Sequence, residues 1–384
     1  MKSTIIKSAV SVLAAFLLLW LCNAVWDLQY TFGYGDDSLV AAFLSRKLAS
    51  RTTPADEEAL CVNIAYDRTL VPYRDSYGIP VGEIDITDRG KLAVLLDSLR
   101  SYGNYRYIIC DILFDSSLPT DSDSLLFGLV SSMPNIVVPN ESPDLPDALK
   151  ERSAPSGYRV FHHGEPFLKY RFLSKEGRSV PLKVWNDLTG NDIVKHWWGY
   201  TSDGAVCNNS SVLDFTNVSP SSYVTGPEGD AFPMEEKRVY HLGADILDEG
   251  CPRELFQDRI VLIGDFYEHD MHDTAIGQVP GILILYAAYR ALVDGKNVIP
   301  WGYYLGLFAI FLLYCLIIAF AKEGKEKRNP LLTFFLECFS FATPLLLFNY
   351  LTVALGGFSI NAVLIGSIFA LASRIKKHFV HEKE

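Results

Sequence analysis

The residues best equipped for chemistry lie in one short stretch, His269-Asp270-Met271-His272-Asp273, with Asp265 and Glu268 just before it and Thr274 just after. Carboxylates and imidazoles at this density are a donor set for a divalent metal. A metal-dependent hydrolase would use Asp67, Asp111, Asp265 and Asp270 with His269 or His272. The same residues also suit a solvated loop in which Asp270 and Asp273 cap backbone N–H groups. A second constellation is Asp67, Asp111 and Asp265, each of which closes an apolar, strand-like run. In a parallel sheet such ends share one edge, and carboxylates gathered there repel one another unless a cation or a proton is shared. Arg68, Arg89 or Arg178 could supply that cation. The glycine fingerprints of phosphate loops, the nucleophile elbow and the helical zinc-protease motif are all absent. No residue is therefore assigned as catalytic, no cofactor is expected, and the identity of any metal stays open.

These side chains need strands and helices to place them. The run Ile260-Val261-Leu262-Ile263 predicts a buried strand that breaks at Gly264-Asp265, and a helix resumes after Pro280-Gly281. Cys61 to Tyr66 predicts a first strand, followed by a polar loop to Thr87-Asp88. Asp88 then caps a helix with a stripe of Leu92, Leu95, Leu96 and Leu99 that stops at Gly103. Tyr107 to Cys110 predicts a second strand, Ser124 to Ser132 a short helix, and Asn135 to Pro139 a third strand. Strand, helix and strand in this order predict a right-handed βαβ unit and a parallel pair. The fold class is α/β, with a doubly wound, mostly parallel sheet. Between Glu141 and Val239 the pattern loosens into an insertion or edge region of that sheet, with strand candidates at Tyr158–Phe161, Lys169–Leu173 and Val180–Val184 and a helical piece around Leu182 to Leu188. A linking helix is predicted over Ser38–Ser50, and His196-Trp197-Trp198-Gly199-Tyr200 reads as the edge of a core in preference to an exposed patch that stacks sugars or binds a protein.

The chain has 384 residues, of which 49% are hydrophobic. Much of that content is concentrated in α-helical transmembrane spans: an anchor within 1–26, then 302–321, 331–355 and the short 358–373. Glu337 inside the third span should face other helices or a polar cavity. Lys2 and Lys7, the cluster Lys322 to Arg328 and the cluster Arg374 to His378 all fall on one side, which the positive-inside rule makes cytoplasmic. The loop 322–330 and the tail 374–384 are then cytoplasmic, while 27–300 is exported across the inner membrane. That exported part carries 24 Lys and Arg against 40 Asp and Glu, a balance of −16 over residues 26–301. Nucleic acid is excluded as a partner, since it requires a basic footprint. Cys61, Cys110, Cys207 and Cys251 lie in the exported part, and sequence leaves their pairing open.

Several of these elements together resemble the CHASE2 extracytoplasmic sensory domains over about residues 55–297. The likeness rests on the strand ending at Asp67, on Cys110-Asp111-Ile112-Leu113-Phe114 with a later Asp123-Ser124-Leu125, and on Glu176-Gly177-Arg178 followed by Pro181-Leu182. It rests above all on Ile260 to Phe266, Asp270, Thr274, Pro280-Gly281-Ile282 and Ala287-Ala288. Arg68 stands where the family often has a second Asp, Gly78-Ile79-Pro80 replaces a Trp-Pro-Trp-like loop, and Ala275 replaces a Pro. The resemblance implies a sensor framed by one preceding and about three following spans. It would bind a small ligand or a protein in the extracytoplasmic space. With no kinase or cyclase after Ser373, its signal is expected to leave through the spans to a separate partner. The rival readings are the exported hydrolase and a structural scaffold of a membrane complex.

Overall fold

The computed structural model describes residues 2–25, 58–75, 77–157, 169–213, 239–250, 252–267, 269–274, 277–320, 330–356 and 362–381. The helix expected at Ser38–Ser50 and the strand expected at Tyr158–Phe161 lie outside them. The chain divides into two units: Met1–Leu44, Ile193–Val212 and Gly295–Glu384 form one, and Ser45–Asp192 with Leu213–Asp294 form the other.

In chain order the elements are α1 (Lys2–Val25), β1 (Ala59–Asn63), β2 (Arg68–Arg74), β3 (Pro80–Thr87), α2 (Arg89–Tyr102), β4 (Tyr107–Cys110), α3 (Asp123–Ser132), β5 (Ile136–Pro139), β6 (Ser153–Ala154) and β7 (Lys169–Arg171). They continue with α4 (Val180–Thr189), β8 (Ile193–His196), β9 (Gly199–Ser202), β10 (Ala205–Cys207), β11 (Ser210–Val212), β12 (Val239–His241), β13 (Ile260–Gly264), β14 (Met271–Thr274) and β15 (Gly277–Pro280). Four helices close the described chain: α5 (Gly281–Val293), α6 (Trp301–Phe320), α7 (Pro330–Gly356) and α8 (Ala362–His381).

The α/β unit is built on a six-stranded sheet in the order β12-β1-β13-β4-β5-β6, and each of its neighbouring pairs is parallel. Strands β4, β5 and β13 are buried along their whole length, the signature of central parallel strands whose apolar runs are continuous. Register aligns Leu60, Val261, Ile108 and Ile136 in one row and Val62, Ile263 and Cys110 in the next. Both rows belong to one core cluster with the α2 stripe Leu92, Leu95, Leu96 and Leu99 and with Leu126, Leu129 and Val130 of α3. Asp88 caps α2 by accepting from the N–H groups of Gly90 and Lys91, and Gly103 ends it in the left-handed region at φ 59°. The intervening strand residues, such as Cys61, Ile109 and Leu262, stand outside that cluster, and α5 packs against β13 and α4.

Three local expectations change. Strands β1 and β4 are parallel but not adjacent, because β13 lies between them; its fully buried run satisfies its backbone only with a partner on each edge. The polar loop before Asp88 is an antiparallel hairpin, β2 against β3, paired from Arg68–Thr87 to Tyr73–Gly82. Finally, Val180 to Val184 forms the start of α4 instead of a strand. Pro181 at the first turn presets helical φ, and Gly190 terminates the helix at φ 75°.

Among the described residues of the other unit, three helices are long and apolar enough to cross a membrane, at Thr4–Cys22, Trp301–Phe320 and Thr333–Thr352. Twenty helical residues span about 30 Å, the thickness of a bilayer core. The fourth expected span is helical from Ala362, and its apolar part among the described residues is Ala362–Ile375, shorter than the other three. It packs along α7, where Gly366 meets the Ala342 backbone so closely that a Cβ would lie 2.9 Å from the Ala342 nitrogen. Glu337 does face another helix: its Oε2 lies 3.6 Å from Nε of Arg374 on α8.

Strands β8, β9 and β10 form an antiparallel meander. The expectation that Glu141 to Val239 belongs to the sheet as one insertion is corrected here, since Ile193–Val212 groups with the apolar helices. The cause is backbone pairing. The Ile299 N–H donates to the Val206 carbonyl at 3.0 Å and the Asn208 N–H to the Asn297 carbonyl at 2.8 Å, just before α6 begins. In the β8–β9 turn Trp198 stacks on His196, whereas Trp197 is 89% exposed and packs no core edge.

Candidate functional site

Asp67, Asp265 and Asp111 follow β1, β13 and β4, which are neighbours, so the order of the sheet brings all three to one carboxyl edge. Each is held differently. Asp67 is buried, and its Oδ1 receives the Lys91 ammonium at 2.6 Å while Oδ2 accepts from the Gly243 N–H at 3.0 Å. A Cβ on Gly243 would lie 2.4 Å from Asp67 Oδ1, so only glycine lets the backbone come this close. The hydrogen bond to Asp67 raises the Lys91 pKa above the usual lysine value, against a smaller opposing effect of desolvation. Asp265 is also buried and accepts from the N–H groups of Tyr267 and His269 at 2.9 and 3.2 Å, which folds the loop after β13 around its carboxylate. Asp111 is half-buried, and its N–H donates to the Ile263 carbonyl at 2.8 Å.

The arginines considered for this edge have other partners. Arg68 reaches Asp85 on β3 at 2.9 Å, Arg178 pairs with Asp192, and Arg89 places Nη1 2.8 Å from both carboxylate oxygens of Asp123. The cation at Asp67 is Lys91 instead, in the first turn of the helix that Asp88 caps.

The Asp/His stretch is a ribbon, not an open loop. Strand β14 pairs antiparallel with β15, from Met271–Pro280 to Thr274–Gly277. Asp270 and His272 are brought together at 2.9 Å, His269 and Asp273 are exposed, and Thr274 is buried; Glu268 is outside the described residues. Asp270 also tightens the start of α5. Its carbonyl accepts from the Gly281 N–H at 2.8 Å, and its carboxylate lies where a Cβ on Gly281 would stand 2.2 Å away. A carboxylate at a helix N-terminus is favoured by the helix dipole. Among the described residues no three His, Cys, Asp or Glu side chains are grouped as a metal site.

The same edge carries a feature that the sequence did not reveal. Tyr66 after β1, His241 at the end of β12 and Tyr267 after β13 have ring centroids 5.4, 5.8 and 5.9 Å apart. Three nearly equal separations exclude a linear stack, so the rings form a triangular patch, held at distances typical of offset aromatic contacts. Beneath it Asn63 is fully buried. Its Oδ1 accepts from the N–H groups of Ala65 and Phe266 at 3.2 and 3.1 Å. Those two donors fix the orientation of the amide, so its Nδ2 is what faces His241 Nδ1 at 3.0 Å. Nδ1 must then accept, which places the proton of the neutral imidazole on Nε2. The Asp245 carboxylate holds the His241 backbone by accepting from its main-chain N–H at 2.6 Å. A sequence signal was available, an aromatic residue or His at each of three strand ends, but it acquires meaning only once those strands are known to be neighbours.

Two thiols lie in the strands beneath the edge. Cys61 and Cys110 are buried and unbonded, and burial pushes both pKa values up. Cys207 is buried as well, and Cys251 lies outside the described residues. Compared with protein-family models, with curated proteins and with solved structures, the chain finds no match in any of the three, so the likeness to the CHASE2 domains is neither supported nor overturned by them.

Proposed function

We propose that the chain is a membrane-anchored sensor of CHASE2 type. Its α/β unit, a doubly wound sheet on the extracytoplasmic side of the inner membrane, binds a ligand at the carboxyl edge and passes the signal through its apolar helices to a separate partner. The observation that carries this reading is the convergence of Tyr66, His241 and Tyr267 with three strand-closing aspartates on one edge of a parallel sheet. Ligands of open α/β sheets bind beyond such ends. The aspartates supply architecture and field, and the rings supply the surface. No enzymatic role is proposed, because Asp265, Asp270 and His272 are engaged in shaping loops and a helix start. Sensing requires that the ligand prefer one of two states, and the segment from Gly295 to Pro300 joins α5 to α6 as the route of output.

A chromosomal Tyr66→Ala variant tests the reading against the scaffold. For a sensor, its transcript profile departs from wild type in the same genes as a deletion strain while the protein level in the membrane is unchanged. A profile identical to wild type beside a responsive deletion strain would favour the scaffold. Placement is tested separately with an impermeant thiol reagent on spheroplasts: single cysteines at Ser122 and Ser219 should react and one at Lys325 should not.

A further inference from the structure

Resting on the strand-edge ligand site proposed above, we propose that the patch of Tyr66, His241 and Tyr267 takes a small organic cation, a quaternary or alkylated ammonium. Tyr66 is 62% exposed, so a ring of the patch is presented outward, and its neighbours Tyr267 and His241 lie within 6 Å of it in planes tilted by 20° and 43°. An exposed aromatic ring with two more beside it, stacked or tilted, offers a π surface of negative quadrupole, which attracts an ammonium group that hydrogen-bonding sites hold poorly. The neutral tautomer imposed on His241 by Asn63 keeps the third ring free of positive charge.

The surrounding field has the same sign. Asp67, Asp111 and Asp265 close the adjacent strands, and Asp245 is bound to the His241 backbone. Lys91, the cation at this edge, is tied to Asp67 at 2.6 Å. Across residues 26–301 the balance of 24 basic and 40 acidic residues concentrates cations and repels carboxylates, phosphates and sulfates. A second copy of this unit would carry the same negative charge and is disfavoured for the same reason.

The test uses the full chain in a non-ionic polyoxyethylene detergent, titrated calorimetrically with tetramethylammonium, choline, tert-butanol, glucose and acetate. Both ammonium ions should bind saturably, and tert-butanol, of similar bulk without charge, at least about tenfold more weakly. Tyr66→Phe should keep the affinity for tetramethylammonium, and Tyr66→Ala should lower it about tenfold while leaving the melting temperature unchanged. Equal binding of tert-butanol, no saturable binding of either ammonium ion, or unaltered affinity in Tyr66→Ala would overturn the proposal. Glucose binding that depends on Tyr66 would overturn the cation and leave the ligand site standing. Absence of all binding together with a silent chromosomal Tyr66→Ala would overturn both.

Discussion

Asp67 shows how little of a charged residue's role can be read from its type. Its carboxylate is buried under Gly243 and held by Lys91, whose side chain remains 44% exposed. Lys91→Met leaves that carboxylate with the Gly243 N–H as donor and should destabilise the chain by about 1–3 kcal/mol, below the cost of breaking a fully buried pair because water still reaches position 91. The sign with pH follows from the raised Lys91 pKa. The contribution is complete below the unfolded lysine value and is lost as pH rises through the higher folded value. Melting curves of wild type and Lys91→Met should therefore differ at neutral pH and converge in strong alkali; a constant gap would refute the assignment. Cys61 and Cys110, buried with raised pKa values, should resist thiol reagents until the chain unfolds, as mass spectrometry of labelled native and denatured protein would show.

At the scale of elements, what could be read from sequence divides along a physical line. Strands β1, β4, β5 and β13 and helices α2, α3 and α5 declare themselves through buried runs, helical spacing and caps, all of which are local. On α2 the distinction is quantitative: Leu96 is fully buried and Val94 is 54% exposed. Leu96→Ala should cost about 2–5 kcal/mol, whereas Val94→Ala should stay within about 0.5 kcal/mol, measured by thermal unfolding of the full chain. The β2–β3 hairpin stayed hidden because Pro72, Gly78, Pro80 and Gly82 signal turns, while its strands are set by pairing with each other. The site was half legible for the same reason. Asp67, Asp111 and Asp265 could be named as strand ends, but their adjacency, the ring patch and the role of Lys91 depend on strand order, which no local pattern encodes.

At the scale of the whole molecule, the chain passes between its two units four times, at positions 44–45, 192–193, 212–213 and 294–295. No single cut separates sheet from helices. A soluble fragment of about 27–300 would keep the β8–β10 meander and remove α6, leaving Val206 without the Tyr303 and Leu307 cluster it packs against. That fragment should aggregate or lose Ile193–Val212 to limited proteolysis, while the full chain in detergent protects the segment. Equal protection in both would show that the meander does not need the helices.

The place of β13 also decides when the sheet can form. Cys61 pairs with Leu262, about 200 residues later, and Leu262 pairs in turn with Ile109. Contacts this distant in sequence are slow to form, because a long loop must close before they yield any stabilisation. Until Arg259 to Gly264 have emerged, β1 and β4 have a vacancy between them, and the edge that each turns towards it is unpaired and prone to mispairing. During synthesis the nascent domain therefore stays an open, aggregation-prone half-sheet until the strand that carries Asp265 arrives, and the site and the fold are completed in the same step.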